Sequence, residues 1–445
     1  MLRSLAAVVA YAAIIPLAGA LLPSSTKIER GAPLARKPAF GAALAPDPAG
    51  LKVVRTVPGT TAGNLGLQPN DLIKRLGGKP VTAPAQLSQW VQARRTGDPI
   101  EVEVVRGNET LKLVGKLQER PRPTLGGLNL VYDQVQSQGK RIRVIATHPQ
   151  GDGPFPTLFV IGGIGAYSVD SEWESAPYGK LLKPLSQRYA IIRVEKPGQG
   201  DSEGPVYSEL TFNQELDAYV QGLRLAKTFS FVDKSKLAIF GHSMGGTFGP
   251  LVAAQEPVTA VAVSGTLAKT LNEYLLENTR RQSLLAGAKA VEVEQSMLGL
   301  HAASHYILSE GMSPAAVKRK FPKYKQAVDE FTPDGKTMSG VGIPFWQQLA
   351  KQDVMGAWAK VNGPVLALWG ENEFISTRSD HEYIAEAVNA LRPGTAEFVV
   401  VPQSDHGFNL TTSTRDSLAK WGKPGSEFNP NIIEILGQWL SRTIG

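Results

Sequence analysis

The sequence predicts an α/β chain built on a mainly parallel sheet, with a helical insertion in its second half and a small β-rich module ahead of it. Three observations point there. From about residue 126 onward, short apolar runs alternate with helix-length segments, the pattern of parallel strands joined by crossover helices. About 100 residues between Ser264 and Val365 show helical periodicity and no strand run, too long a stretch to lack structure of its own. Residues 51–119 carry short alternating runs and one helix instead.

At 445 residues the chain should hold more than one domain. Apolar residues make up 42% and charged residues 20%, which excludes a disordered or fibrous protein. The 47 Lys and Arg against 40 Asp and Glu leave +7, too thin an excess over this length to imply nucleic acid. With no cysteine, disulfide scaffolds, thiolate zinc sites, iron–sulfur clusters, cysteine nucleophiles and a lipidated cysteine are excluded.

Arg3 is followed by an uncharged stretch from Leu5 to Leu22, and Ala18-Gly19-Ala20 supplies the small residues that a signal peptidase reads. Residues 1–20 are therefore expected to be a signal peptide, with an uncleaved membrane anchor as the alternative, and the chain to be exported to a periplasm or secreted. Residues 21–37 form an expected linker rich in Pro, Ala and Gly.

Residues 38–119 form the expected small module. Leu51–Val54, Glu101–Arg106 and Thr110–Leu117 read as strands, the last two joined by the Gly107-Asn108 turn. Leu87, Trp90 and Val91 mark one face of a short helix. The ordered series Pro58-Gly59-Thr60-Thr61-Ala62, Ala62-Gly63-Asn64-Leu65-Gly66-Leu67-Gln68-Pro69-Asn70-Asp71-Leu72-Ile73 and Gly77-Gly78-Lys79-Pro80-Val81 resembles a PDZ domain of the bacterial envelope type. The resemblance implies an extended peptide or protein C-terminus added to a sheet edge, its carboxylate held by a loop of backbone amides. The matching loop is Ala39-Phe40-Gly41-Ala42, with Phe40, Gly41 and Ala42 as the implied peptide-binding positions. It departs from the usual Gly-Leu-Gly-Phe at its first and last positions. Pure scaffolding stands beside peptide binding as a reading of this module.

Arg120-Pro121-Arg122-Pro123 begins a stiff linker, residues 120–125, ahead of the second domain, residues 126–445. There Thr157–Ile161, Ala190–Val194, Leu237–Phe240, Val258–Val263, Val365–Trp369 and Glu397–Val401 read as buried strands. The run Leu237-Ala238-Ile239-Phe240-Gly241-His242-Ser243-Met244-Gly245-Gly246 places Gly-x-Ser-x-Gly between a strand and a helix. The flanking glycines leave room for a sharp turn that strains the serine backbone and exposes its hydroxyl. With this strand–turn–helix context the second domain resembles the α/β-hydrolases, and the helical stretch, about residues 266–363, falls where that family inserts a lid.

The resemblance implies a serine hydrolase working through an acyl-enzyme, with Ser243 as nucleophile. A serine hydroxyl needs a base, and the base needs an orienting group. Of six histidines, His406 occupies the family's position for the base, in Ser404-Asp405-His406-Gly407 just after the last strand. His148 precedes the elbow, the wrong order for this fold. His242 adjoins the serine and is expected on the opposite side of the strand; His301 and His305 read as ordinary lid histidines, and His381 lies in an acidic helical stretch. Glu373, in Glu371-Asn372-Glu373-Phe374-Ile375, falls on the family's acid position, with Glu371 and Asp405 as alternatives. The implied oxyanion donors are the amides of Met244, which follows the serine, and of Ile164, in Gly162-Gly163-Ile164-Gly165, where Gly162 replaces the usual histidine. Lys196-Pro197-Gly198-Gln199-Gly200-Asp201-Ser202 resembles the loop shaping the pocket floor, with Glu195 one residue before it and the usual Asp absent.

No metal or organic cofactor is implied, and none of the glycine clusters has the lysine or spacing of a phosphate-binding loop. The basic cluster Val317–Lys325 reads as a solvated helix face ahead of a membrane-attracting one. A carboxylic ester is the first choice of substrate by family frequency, with amide and thioester open. Two other readings stand. One is an exopeptidase of the same fold, with Glu273 and Glu277 in the lid holding a substrate ammonium; the other is a non-catalytic envelope peptide-binding protein with a vestigial hydrolase domain.

Overall fold

A computed structural model describes residues 28–445, apart from 175, 176, 424 and the side chain of residue 85. The expected signal peptide, residues 1–20, lies outside the described residues. Among the described residues no helix is long and apolar enough to cross a membrane.

The first sheet is antiparallel and belongs to the N-terminal module. Its strands β1 (Ala42–Asp47), β2 (Gly50–Thr56), β3 (Leu72–Leu76), β5 (Pro99–Arg106) and β6 (Glu109–Lys116) lie in that order, with β4 (Lys79–Pro80) paired to β3. Helices α1 (Thr61–Asn64) and α2 (Pro84–Gln92) complete it. Ile100, Val102 and Val104 alternate along β5 into a core with Leu51, Val53 and Leu87, so period-two patterning builds a separate small core. Phe40 is buried in that core, and Gly41 has positive φ (77°) with its carbonyl accepting from the Val57 amide at 2.9 Å.

The second sheet has eight strands: β7 (Asn129–Ser137), β8 (Lys140–His148), β9 (Phe155–Ile161), β10 (Ala190–Val194), β11 (Val232–His242), β12 (Ala260–Ser264), β15 (Val365–Gly370) and β16 (Ala396–Val401). The order is β16-β15-β12-β11-β9-β10-β8-β7, parallel except at the β7–β8–β10 edge. Successive residues feed two cores: Phe159, Ile239, Val261 and Ala367 face one, while Leu158, Ala238, Ala262 and Leu366 face the other. Strands buried on both faces read as continuous apolar runs, which is why they were legible. The β7–β8 hairpin carries Arg141, Arg143 and Gln134 on an edge, and gave no such run.

Helices α3 (Tyr178–Leu185) and α14 (Asn431–Thr443) cover one face. Helices α4 (Phe212–Ala226), α5 (Met244–Ala253) and α12 (Arg378–Leu391) cover the other; α13 (Thr414–Lys420) is short. The lid, between β12 and β15, contains α6 (Leu271–Leu285), α7 (Ala290–Ser304), α8 (Pro314–Lys320), α9 (Lys325–Phe331), α10 (Ile343–Leu349) and α11 (Val354–Ala359). It also holds a hairpin of β13 (Thr337–Met338) and β14 (Val341–Gly342), against the expectation of no strand, because two-residue strands leave no periodic signal. In the basic cluster, Lys318 and Lys325 both pair with Asp329 at 2.7 Å.

The segments expected as linkers are tied down. Glu29 O accepts from Gln136 N (2.7 Å), Leu34 O from Arg143 Nη2 (2.7 Å), and Lys37 N donates to Asp201 Oδ1 (2.9 Å). The Arg36 side chain is 7% exposed and pairs with Asp170 at 2.7 Å and Asp201 at 3.4 Å. Arg120 donates to Ser168 Oγ at 2.7 Å and stands 3.8 Å from Glu195. Paired buried charges fix these segments because separating them would strand unpaired carboxylates. Residues 28–37 thus form a strap across the β7–β8 edge. The two ends of the module meet there: Pro38 bridges Glu119, and Arg120 N donates to Lys37 O at 3.2 Å.

Candidate active site

The parallel strands end on one edge of the sheet, and the sequence-derived site residues sit in the loops that follow them: Ile164 after β9, Ser243 after β11, Glu373 after β15 and His406 after β16. This is the usual place for a site in such sheets.

Ser243 has φ 56° and ψ −124°, a strained backbone for a side-chain-bearing residue. Its neighbours explain how the turn closes. A Cβ on Gly241 would stand 2.3 Å from Gly245 O, and one on Gly245 would stand 2.0 Å from Ile161 O. The turn therefore admits no side chain at either position. Ser243 N donates to Ser264 O on β12 (2.8 Å), anchoring the elbow to the next strand.

His406 Nδ1 lies 2.5 Å from Glu373 Oε1, and both side chains are almost fully buried. The same carboxylate oxygen accepts from Ser376 N (2.9 Å) and Ser376 Oγ (2.6 Å). Burial pushes the Glu373 carboxyl up, but the His406 contact and these hydrogen bonds outweigh it and hold the group at about 2. Glu371 is exposed and accepts from Gln403 N (2.8 Å), while Asp405 accepts from Asn409 N (2.7 Å). Neither alternative acid is hydrogen-bonded to the imidazole.

Ser243, His406, Ile164 and Met244 line one cavity of about 600 Å³ beneath the lid. Met244 opens α5, so its amide is one of the helix's unpaired N-terminal donors. The Ile164 amide is set by a group of contacts that the sequence did not reveal. Gly163 N donates to Tyr178 Oη (2.9 Å) and Gly165 N to Tyr207 Oη (2.6 Å). Gly163 O accepts from Tyr167 Oη (2.8 Å) and from Lys196 Nζ (2.6 Å), which also reaches Gly165 O (3.0 Å). The two glycines flanking Ile164 are thus fully engaged, while its own N–H has no hydrogen-bond partner among the described residues. Tyr167 also explains Gly162: a Cβ there would stand 2.3 Å from the Tyr167 hydroxyl.

Lys196 is fully buried between Glu215 (3.7 Å) and the Tyr167 ring (4.4 Å). Burial pushes its ammonium down from the ordinary value and Glu215 only partly restores it. The lid clamps the other side. On α6, Arg281 donates to Phe374 O (2.6 Å) and Ser376 O (3.0 Å), and Tyr274 Oη to Ile375 O (3.0 Å). Gly265, at φ 63°, gives the imidazole its seat, since a Cβ there would stand 2.9 Å from His406 Nδ1.

The other histidines take different places. His242 does not point away: it lines the same cavity, with its ring 4.9 Å from that of His406. It still pairs with Ser264 in the strand register, and its ring packs against Phe408 and Tyr178 on the core face that Phe240 feeds. Burial, helped by the His406 charge, holds it neutral with a pKa of about 3. His148 stacks on Phe231 at 4.2 Å, away from the cavity lining. His381 is buried and accepts from Thr266 N at 3.1 Å, whereas His301 and His305 are exposed on the lid. Glu273 caps α6 through Thr270 and Glu277 pairs with Lys269, so neither lines the cavity.

An exposed-hydroxyl elbow, an imidazole on a buried carboxylate and free amides in one cavity are the parts of a hydrolase site on an α/β sheet. The family model described as "Alpha/beta hydrolase family" matches residues 160–420, and the chain belongs to that family. Esterase EstD of Thermotoga maritima is 22% identical over 300 residues, covering 66% of this chain and 64% of that protein. Esterase FrsA of Klebsiella pneumoniae is 28% identical over 173 residues, 38% of each chain. The match thus spans less than two thirds of either relative. Among solved structures, Est1E from Butyrivibrio proteoclasticus with bound ferulic acid aligns with 70% of this chain and 98% of its own at 14% identity, with a TM-score of 0.46.

Proposed function

We propose that the protein is an exported serine hydrolase that cleaves carboxylic esters through an acyl-enzyme. In this reading Ser243 attacks the carbonyl carbon while His406 takes its proton. The imidazolium then donates a proton to the leaving alkoxide, leaving the acyl group on Ser243; water activated by His406 completes the cycle. Glu373 fixes the imidazole tautomer and stabilises its charge. The Ile164 and Met244 amides receive the oxyanion. The observation that carries the proposal is the 2.5 Å contact of His406 Nδ1 with the buried Glu373 carboxylate, in the cavity that the strained Ser243 lines. Esterase relatives favour the ester over the amide and thioester. The test is turnover on aryl esters, aminoacyl amides and thioesters: an ester rate well above the other two is expected, and amide turnover without ester turnover would contradict it.

Lys196 is a positioning residue in this scheme. Lys196→Met should lower kcat by roughly 10–100-fold, because a displaced Ile164 amide forfeits much of one oxyanion donor. KM should stay within about threefold, since the ground-state carbonyl needs the donor less. Equal loss in kcat and KM with a lowered urea midpoint would mark Lys196 as merely structural.

The N-terminal module is proposed to be PDZ-like, docking a peptide or regulating access, and to take no part in bond breaking. Because its ends meet at Pro38 and Glu119, residues 39–118 can be replaced by a short Gly-Ser link that keeps Arg36 and Arg120. Such a chain should hydrolyse a small soluble ester within about tenfold of the full protein, roughly 1.4 kcal/mol of barrier. A folded excised chain without small-ester turnover would show that the module shapes the site.

A further inference from the structure

We propose that a groove along helix α6 binds the apolar arm of the substrate, so that the preferred esters carry an extended acyl chain; this rests on the ester-hydrolase reading. A second cavity of about 420 Å³ lies within the lid. It shares Leu275, Thr279, Met338 and Ser339 with the cavity around Ser243, so the two adjoin along these residues. The wall is one helix face. Leu271, Leu275, Thr279 and Ser283 lie at four-residue intervals on α6, the first lining the Ser243 cavity, the middle two both cavities, and the last the lid cavity alone. At 1.5 Å per residue that stripe is ~18 Å long, far more than an acetyl or ferulate-sized acyl group needs. The opposite wall is apolar: Val293, Met297 and Leu300 from α7, with Ala327 and Phe331 from α9. Glu292 and Glu330 also line the distal cavity, so a chain ending in an anionic group is disfavoured there.

Each methylene that leaves water for such a wall favours binding by about fourfold, so selectivity should grow with chain length until the groove is filled. The test measures kcat/KM of the full chain for p-nitrophenyl acetate, butyrate, octanoate and decanoate, alongside calorimetric binding of decanamide. Ser296→Trp places bulk in the distal cavity from an exposed position on α7, and Thr279→Trp places it at the junction. The octanoate-to-acetate ratio of kcat/KM should exceed ten in the unaltered protein and fall at least tenfold in both variants, with weaker decanamide binding. A ratio below one in the unaltered protein, or a ratio within twofold of it in both folded variants, would overturn the groove. Decanamide binding that the two substitutions abolish, in a protein with no ester turnover, would uphold the groove while the hydrolase reading failed.

Discussion

Ser243→Ala is expected to abolish labelling by a fluorophosphonate and to lower ester turnover by roughly 10⁴–10⁶-fold. The residual rate would come from the amides and the cavity, which the substitution leaves in place. Stability should hardly change, because alanine keeps the Cβ and the Ser243 hydroxyl makes no hydrogen bond among the described residues. Ser243→Gly sharpens the point: at φ 56°, glycine relieves backbone strain. This variant should be at least as stable as the unaltered protein and as inactive as the alanine variant. Strain kept at the expense of stability is what a nucleophile elbow requires. Labelling that persists in either variant would remove Ser243 from the chemistry.

Glu373→Gln is expected to cost roughly 10³–10⁴-fold in kcat, because an amide in that place no longer fixes the tautomer or stabilises the imidazolium. The geometry separates this residue from its neighbours. Glu371→Gln should cost less than about threefold, since that side chain is exposed and serves the Gln403 amide. Asp405→Asn retains an oxygen for the Asn409 amide and should behave similarly. With Glu373 held at about 2, the carboxylate stays ionised as pH falls through the weakly acidic range. Activity lost in that range therefore does not come from protonation of Glu373. A Glu373→Gln enzyme with near-full kcat would reassign the orienting acid.

The residues named from the sequence were those held by local motifs. Gly241-His242-Ser243-Met244-Gly245 follows an apolar strand, and the resemblance to the α/β-hydrolases implies His406 after the last strand and Glu373 after the strand before it. What the sequence hid was convergence from a distance. Lys196 looked like one residue of a pocket-floor loop, yet its ammonium reaches the carbonyls of Gly163 and Gly165, about thirty residues earlier. Tyr178 and Tyr207 come from two further elements. Arg281 is a helix-face arginine by pattern, and only the fold brings it under the loop after β15. Gly265 carried the one weak local sign: a glycine directly after a buried strand, on the edge where the other loops carry site residues. The strap was hidden for the opposite reason. A Pro- and Ala-rich composition reads as a linker, and Arg36 near its end does not disclose the buried Asp170 and Asp201 that hold it.

A covalent acyl group on Ser243 is tested most directly by mass spectrometry of the protein quenched during turnover of p-nitrophenyl acetate, followed by peptide mapping. One acetyl group per chain is expected, on Ser243, with a burst of p-nitrophenol of matching amplitude. Steady turnover with no acetylated protein at any quench time, in a chain whose Glu373→Gln form also accumulates none, would contradict it, as would an acetyl group mapped to any other residue.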